Sequence, residues 1–234
     1  MIPFRDNIPS RSFPVITISL ILINIAAFFY ELSLGRALEP FIERYGVVPA
    51  LVFVWPQTDL PFTAIALPFL TSMFLHGGWL HLIGNMWYLW IFGDNVEDRL
   101  GRFMFLLFYL LSGLGAGIVH TILNANATIP SIGASGAIAG VLGAYLVSYP
   151  FARVLTLVPI FVFVQVIEVP AMIVLGLWFV MQFFSGTAEL AASTPGDAGG
   201  VAWWAHVGGF VIGMILVGLF PRKDRPRYEY NSRG

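Results

Sequence analysis

The sequence predicts an all-α, polytopic membrane protein whose six transmembrane helices pack as a single membrane domain over residues 1–234. Three observations predict it. Only 11% of the 234 residues are charged, against 58% hydrophobic, where an average soluble domain carries about 25% charged residues. Apolar runs recur at lengths close to the roughly 20 residues that a helix needs to cross a hydrocarbon core about 30 Å thick. The positive residues fall almost entirely on one side of the spans that those runs imply. A mean hydropathy of +0.81, with 21 Phe and 7 Trp, excludes a disordered chain, which needs low hydrophobicity and high charge density. With no Cys, disulfide scaffolds, thiolate metal sites and a cysteine nucleophile are excluded as well.

The first span covers Pro14 to Leu34, after a short cytoplasmic segment at 1–13, MIPFRDNIPSRSF. That run is too long for a signal-peptide core and lacks a small-residue cleavage site. From Val47 to Phe74 the chain is again apolar, but Pro49, Pro56, Pro61 and Pro68 interrupt it. Each proline removes a backbone donor that lipid cannot replace, so the stretch is read as a structured loop near the outer interface. The second span runs from Trp79 to Phe92 and closes at the charged cluster GDNVEDRLGR; the third covers Phe103 to Ile122. The fourth, Ser135 to Tyr149, is short and ends at Pro150 and Arg153. The fifth lies within Leu155 to Phe184, an apolar run broken by Pro159, Glu168 and Pro170 that leaves its start open. The sixth covers Ala202 to Phe220, followed by a basic cytoplasmic tail at 221–234.

Orientation follows from Lys and Arg. With both termini inside, the inner segments hold Arg5, Arg11, Arg99, Arg102, Arg153, Arg222, Lys223, Arg225, Arg227 and Arg233, and the outer loops only Arg36 and Arg44. The loops at 35–78, 123–132 and 185–201 then lie outside, with Trp203 and Trp204 at the outer interface. Short soluble tails point to a bacterial plasma membrane.

Ionisable and polar groups inside spans are costly, so each raises a functional hypothesis. The segment HGGWLHLIGN puts His76 before the second span, His81 within it, and Asn85 one turn further along the same face. Ser135 lies in SIGASGAIAG, and His206 opens AHVGGFVIG. Each has an ordinary structural explanation. GxxxG spacing, as at Gly136/Gly140 and Gly209/Gly213, is usually a packing face; a single membrane serine mostly bonds its own helix; a lone membrane histidine is more often an interhelical partner than a base. His120 is read as structural, and Glu168 as a boundary residue near the cytoplasmic face.

Depth changes the balance. At about 1.5 Å of rise per residue, Ser135 and His206 each stand about 21 Å above the inner ends of their spans, and His81 about 18 Å. Three polar groups from three spans therefore share one level, below the outer surface. A fourth span this short cannot reach the outer face as a helix, so IPSIGA must descend as non-helical backbone, tolerated only where protein buries it or water fills a cavity. The expected result is a submerged, hydrated pocket. Serine needs a neighbouring base, and His206 is the candidate at that depth. Ser135 also opens a helix, whose free N–H groups favour a developing anion; side-chain N–H groups of His81 and Asn85 extend that set of donors. A metal site is disfavoured: there is no HExxH, and His76 and His81, five apart, do not share a helical face.

At these residues the sequence resembles the rhomboid intramembrane serine proteases, over about Thr71 to Phe220. HGGWLHLIGN resembles the family's second-span motif through His76, His81 and Asn85; GASG, spanning Gly133 to Gly136, carries the nucleophile at Ser135; AHVGGFVIG carries the general base at His206, with Gly209 and Gly213 behind it; EDRLG follows the second span. The resemblance implies a six-span rhomboid-like bundle, transmembrane proteins as substrates in the lipid bilayer, His81, Asn85 and the Ser135 amide as oxyanion donors, and no cofactor, metal or nucleic acid. Two departures stand out. The outer loop reads ERYGVVPA where several members have a Trp-Arg pair, and Ala139 replaces a tyrosine that in some members packs on the catalytic histidine. An inactive relative that binds membrane-protein clients is the alternative; a transporter would need polar groups on the inner half of several helices, where this chain offers only Glu168 and Gln182.

Overall fold

The computed structural model describes residues 2–160, 163–192 and 201–221; the basic tail and most of the loop between the last two helices lie outside the described residues. Nine helices are described: α1 (Val15–Ser33), α2 (Leu38–Tyr45), α3 (Pro49–Val54), α4 (Thr63–Thr71), α5 (Trp79–Leu100), α6 (Arg102–Leu123), α7 (Ser135–Ser148), α8 (Ala171–Ala192) and α9 (Trp203–Leu219). Of these, α1, α6 and α8 are long and apolar enough to cross a membrane; α5 qualifies together with residues 63–74, across a 77° bend; α7 and α9 are apolar but shorter. The protein is thus a largely helical membrane protein.

The shortest of these six is the most deeply placed. Every residue of α7 from Gly136 to Tyr145 is buried, as expected of a helix apolar on all sides, and it is packed against α5, α6 and α9. Small residues set its distance from α9. A Cβ on Gly209 would lie 2.0 Å from the Gly136 carbonyl oxygen, and one on Gly213 would lie 2.1 Å from that of Gly140. Backbone therefore meets backbone, which is what small-residue spacing in a membrane helix permits. The turn before these contacts holds Ser135 on one helix and His206 on the other.

Two sequence expectations need correction. First, α5 does not end at Phe92 but continues through the charged cluster to Leu100. Its carboxylates are used: Glu97 accepts the Ile16 and Thr17 N–H groups (3.0 and 2.8 Å) and the Thr17 hydroxyl (2.8 Å), and Asp98 accepts the Arg11 N–H (2.6 Å) and the Ser12 hydroxyl. A carboxylate at the start of α1 satisfies donors that have no partner within the helix.

Second, the architecture is not purely helical. The first part of the apolar run in which the start of the fifth span was left open forms a hairpin, β2 (Arg153–Ile160) and β3 (Phe163–Pro170), and the polar start forms β1 (Ile2–Asp6). The sheet is antiparallel with order β1-β2-β3, pairing Pro3 with Thr156 and Leu155 with Glu168. Val, Thr, Ile and Phe favour extended backbone, while Pro159 and Pro170 deny a helix its donors, so α8 begins only at Ala171. β1 runs along α5: the Trp87 indole donates to the Pro3 carbonyl (2.7 Å) and the Asn95 amide to Asp6 (3.0 Å). Glu168, read as a boundary residue, lies on β3, exposed and 4.0 Å from Arg153.

The prolines between Val47 and Phe74 divide that stretch into short helices, with Pro49 at the first turn of α3 and Pro68 inside α4. Their loops solve a problem posed at the site. The non-helical segment before α7 gives its backbone groups to them: Val47 and Ser131 exchange both N–H···O bonds (3.0 and 2.7 Å), Ala50 N–H donates to Ala127 (3.0 Å), and Gly133 N–H to Ser72 (2.8 Å). Part of the irregular backbone is thereby hydrogen-bonded within the protein, as non-helical backbone in a membrane protein requires.

Candidate active site

Ser135, His81, Asn85 and His206 line one cavity of about 520 Å³, together with His120 and Trp178. The structure thus brings together four of the residues singled out in the sequence, from three helices. Ser135 is the first residue of α7, and the residue before it, Ala134, provides no side-chain cap. The first N–H groups of α7 therefore lack both an intrahelical and a capping partner, next to the hydroxyl. Gly133 N–H is already committed to Ser72, so it is not among the free donors.

His81 faces the same spot. A Cβ on Gly133 would stand 2.8 Å from His81 Nε2 and 3.5 Å from Ser135 Oγ, so imidazole edge and hydroxyl converge on one point. Gly77 N–H donates to His81 Nδ1 (3.3 Å). With Nδ1 accepting, a neutral His81 carries its proton on Nε2 and presents a donor toward Ser135. Asn85 is buried and lines the cavity, and among the described residues its Nδ2 has no hydrogen-bond partner. An unpaired buried amide is costly unless an acceptor arrives, as an oxyanion would.

His206 is held in the opposite sense. Its Nδ1 is 2.7 Å from Gln182 Oε1 on α8. The oxygen accepts, so Nδ1 donates and the lone pair is left on Nε2. Trp178, one turn earlier on α8, lies with its ring centroid 5.8 Å from the imidazole at 36°, while Ala139 lines the cavity as a small residue. Among the described residues no hydrogen bond joins Ser135 Oγ to His206; such bonds are often long before substrate binds and tighten in the reacting complex.

The remaining expectations divide. His76 does not line the cavity; it is buried behind His81, rings 5.2 Å apart, with its backbone N–H donating to the buried Glu31 carboxylate (3.2 Å to each oxygen). Gly136, Gly209 and Gly213 are in the α7–α9 contact, and Gly133 is beside His81. His120 had no motif around it and yet lines the cavity. Trp178 is a further residue of the site that sequence reasoning missed, and Gln182, read only as a polar group on the inner half of a helix, is set against His206 instead. Their signal was periodicity: Leu175, Trp178, Gln182 and Gly186 recur at i+3 and i+4, the inward stripe of a helix. Among the described residues no group of three His, Asp or Glu side chains is placed to hold a metal ion.

Fold and site together define a helical membrane protein with a largely apolar cavity between its helices into which a few polar side chains converge. Comparison with known proteins identifies its family. The Rhomboid domain model matches residues 65–223, and the chain belongs to the rhomboid family. Rhomboid-like protein 11, chloroplastic, of Arabidopsis thaliana is 33% identical, over 66% of this chain and 52% of the relative. Presenilin-associated rhomboid-like protein A, mitochondrial, of Danio rerio is also 33% identical, over 70% and 41%. Rhomboid protease AarA of Providencia stuartii is 28% identical, over 56% and 50%. The chain spans about half the length of these relatives. Their names place them in chloroplast and mitochondrion as well as in a bacterium, so a bacterial plasma membrane gains no support over other membranes.

Proposed function

We propose that this protein is an intramembrane serine endopeptidase that hydrolyses peptide bonds in or near transmembrane segments of other membrane proteins. The observation that carries the reading is the convergence of Ser135, His81, Asn85 and His206 on one cavity with complementary hydrogen-bonding roles. Family membership and a relative named as a protease support it. In the same reading the bundle has six spans, α1, α5, α6, α7, α8 and α9, with both termini cytoplasmic and the cavity open to the outer side, which accords with the distribution of Lys and Arg.

The chemistry then follows. A substrate helix unwinds locally, because an intact helix hides its carbonyls. Ser135 Oγ attacks the scissile carbonyl as His206 Nε2 takes the hydroxyl proton. The oxyanion that forms is held by His81 Nε2–H, Asn85 Nδ2–H and the free amides that begin α7. His206 returns the proton to the leaving amine, the C–N bond breaks, and an ester joins Ser135 to the acyl fragment. Water, deprotonated by His206, hydrolyses that ester and restores the hydroxyl.

The test is cleavage of a panel of single-span proteins in liposomes, with fluorophosphonate labelling in parallel. Wild type is expected to cleave and to label at Ser135, and Ser135→Ala and His206→Ala to lose both. A folded wild type that neither labels nor cleaves would instead favour a client-binding, catalytically inactive protein.

A further inference from the structure

We infer that Gln182 is the positioning residue of the dyad: from a separate helix, its side-chain oxygen fixes His206 as the tautomer protonated on Nδ1, so that Nε2 is the base. The inference rests on the protease reading for its catalytic consequence, and on geometry for the rest.

The two histidines given roles in the reaction, His81 and His206, need opposite tautomers. An oxyanion donor must carry its proton on the nitrogen that faces the reacting carbonyl, whereas a general base must have that nitrogen bare. A neutral imidazole left to itself samples both forms. His81 is set by a backbone donor, Gly77 N–H on Nδ1. His206 is set by a side-chain acceptor, Gln182 Oε1 at 2.7 Å from Nδ1. The hydrogen-bond partners differ in polarity, and each gives the tautomer that the role demands.

Burial explains why the partner is an amide. Gln182 is 3% exposed and His206 is 9% exposed, at a depth where an ionised carboxylate would have to be desolvated beside a neutral ring. An amide oxygen supplies the acceptor without the charge. Its reach also fixes the plane of the imidazole, assisted by Trp178 one turn away against the ring. The bulky neighbour that Ala139 lacks on α7 is thus supplied from α8.

The experiment pairs NMR of histidine-15N-labelled protein in micelles with steady-state cleavage kinetics. Wild-type His206 is expected to be protonated on Nδ1 with Nε2 unprotonated. Gln182→Leu and Gln182→Met keep the volume but remove the acceptor. Both are expected to move His206 toward the Nε2–H form and to lower kcat by at least about tenfold with KM within about twofold, since a wrong tautomer impairs the chemical step and not binding. Gln182→Glu, which keeps an acceptor oxygen but at a desolvation cost, is expected to recover the Nδ1–H form and only part of kcat, above the Leu and Met variants and below wild type. His206 protonated on Nε2 in the wild type, or an unchanged kcat in both Leu and Met variants, would overturn the inference. A wild type with the expected tautomer that cleaves nothing would overturn the protease reading instead, and leave the tautomer assignment supported.

Discussion

The Cα of Gly209 rests against the carbonyl oxygen of Gly136: a methyl group there would come within 2.0 Å of that oxygen. The obstacle is backbone, so no side-chain rotation relieves it, and α9 would have to move away from α7. Gly209→Ala is therefore expected to cost about 2–3 kcal/mol and to separate His206 from Ser135. Cleavage should fall more than tenfold, and the variant should unfold at lower temperature than wild type in the same detergent. Wild-type activity in a Gly209→Val protein would show that the close approach does not set the dyad.

Gly133 has φ +130°, a region that side chains rarely enter, and a Cβ there would stand 2.8 Å from His81 Nε2. Gly133→Ala is expected to displace the His81 donor from the carbonyl it stabilises. Loss of one such donor lowers kcat by about 10²–10³, with little change in KM. Kinetics on one cleavable substrate decide it, and a change confined to KM would contradict the role given to His81.

Glu97 gathers three donors at the start of α1. Glu97→Ala leaves them buried without partners, at about 1–3 kcal/mol for each unsatisfied group. Amide hydrogen exchange at Ile16 and Thr17 should accelerate, and the thermal midpoint should drop, even though the cavity is at the other end of α5. Unaltered exchange at both amides would refute the capping role.

Asp6 carries a pH signature. Burial pushes its carboxyl above the usual value of 3.8, opposed in part by the hydrogen bond from the Tyr145 hydroxyl. The folded state then holds the proton more tightly than the unfolded state. This contribution to stability is full below the unfolded value, declines as pH rises toward the raised folded value, and is flat above it. Asp6→Asn should abolish that slope while keeping an acceptor for Tyr145. Thermal unfolding of both proteins between about pH 3.5 and pH 7.5 measures the difference directly, and parallel curves would contradict it.

Much of the bundle could be read from hydrophobicity alone. The ends of α1, α6, α7 and α9 fall within about one residue of the apolar runs, because lipid imposes a length that composition records. The hairpin could not be read in this way. Leu155 to Val169 is as apolar as a span, and hydropathy does not distinguish a strand from a helix. The strand partner, Ile2–Asp6, is about 150 residues away, beyond any local pattern. For the same reason, the charged end of α5 looked like a boundary: the chain that satisfies Glu97 and Asp98 comes from the N-terminal segment.

At the site, residue type and depth were enough to nominate Ser135, His206, His81 and Asn85, since only a few polar groups are retained in an apolar helix and helical rise converts their positions into levels. What the sequence by itself determined was therefore which groups belong to apolar helices and how far along each helix they lie. Azimuth was decided by the tertiary structure: glycine contacts that press α9 onto α7, loop carbonyls that take up the amides before Ser135, and a glutamine on α8 facing His206 Nδ1. Position along a helix is a property of that one segment. Facing is a property of pairs of helices, and depends on side-chain and backbone contacts that no single segment contains.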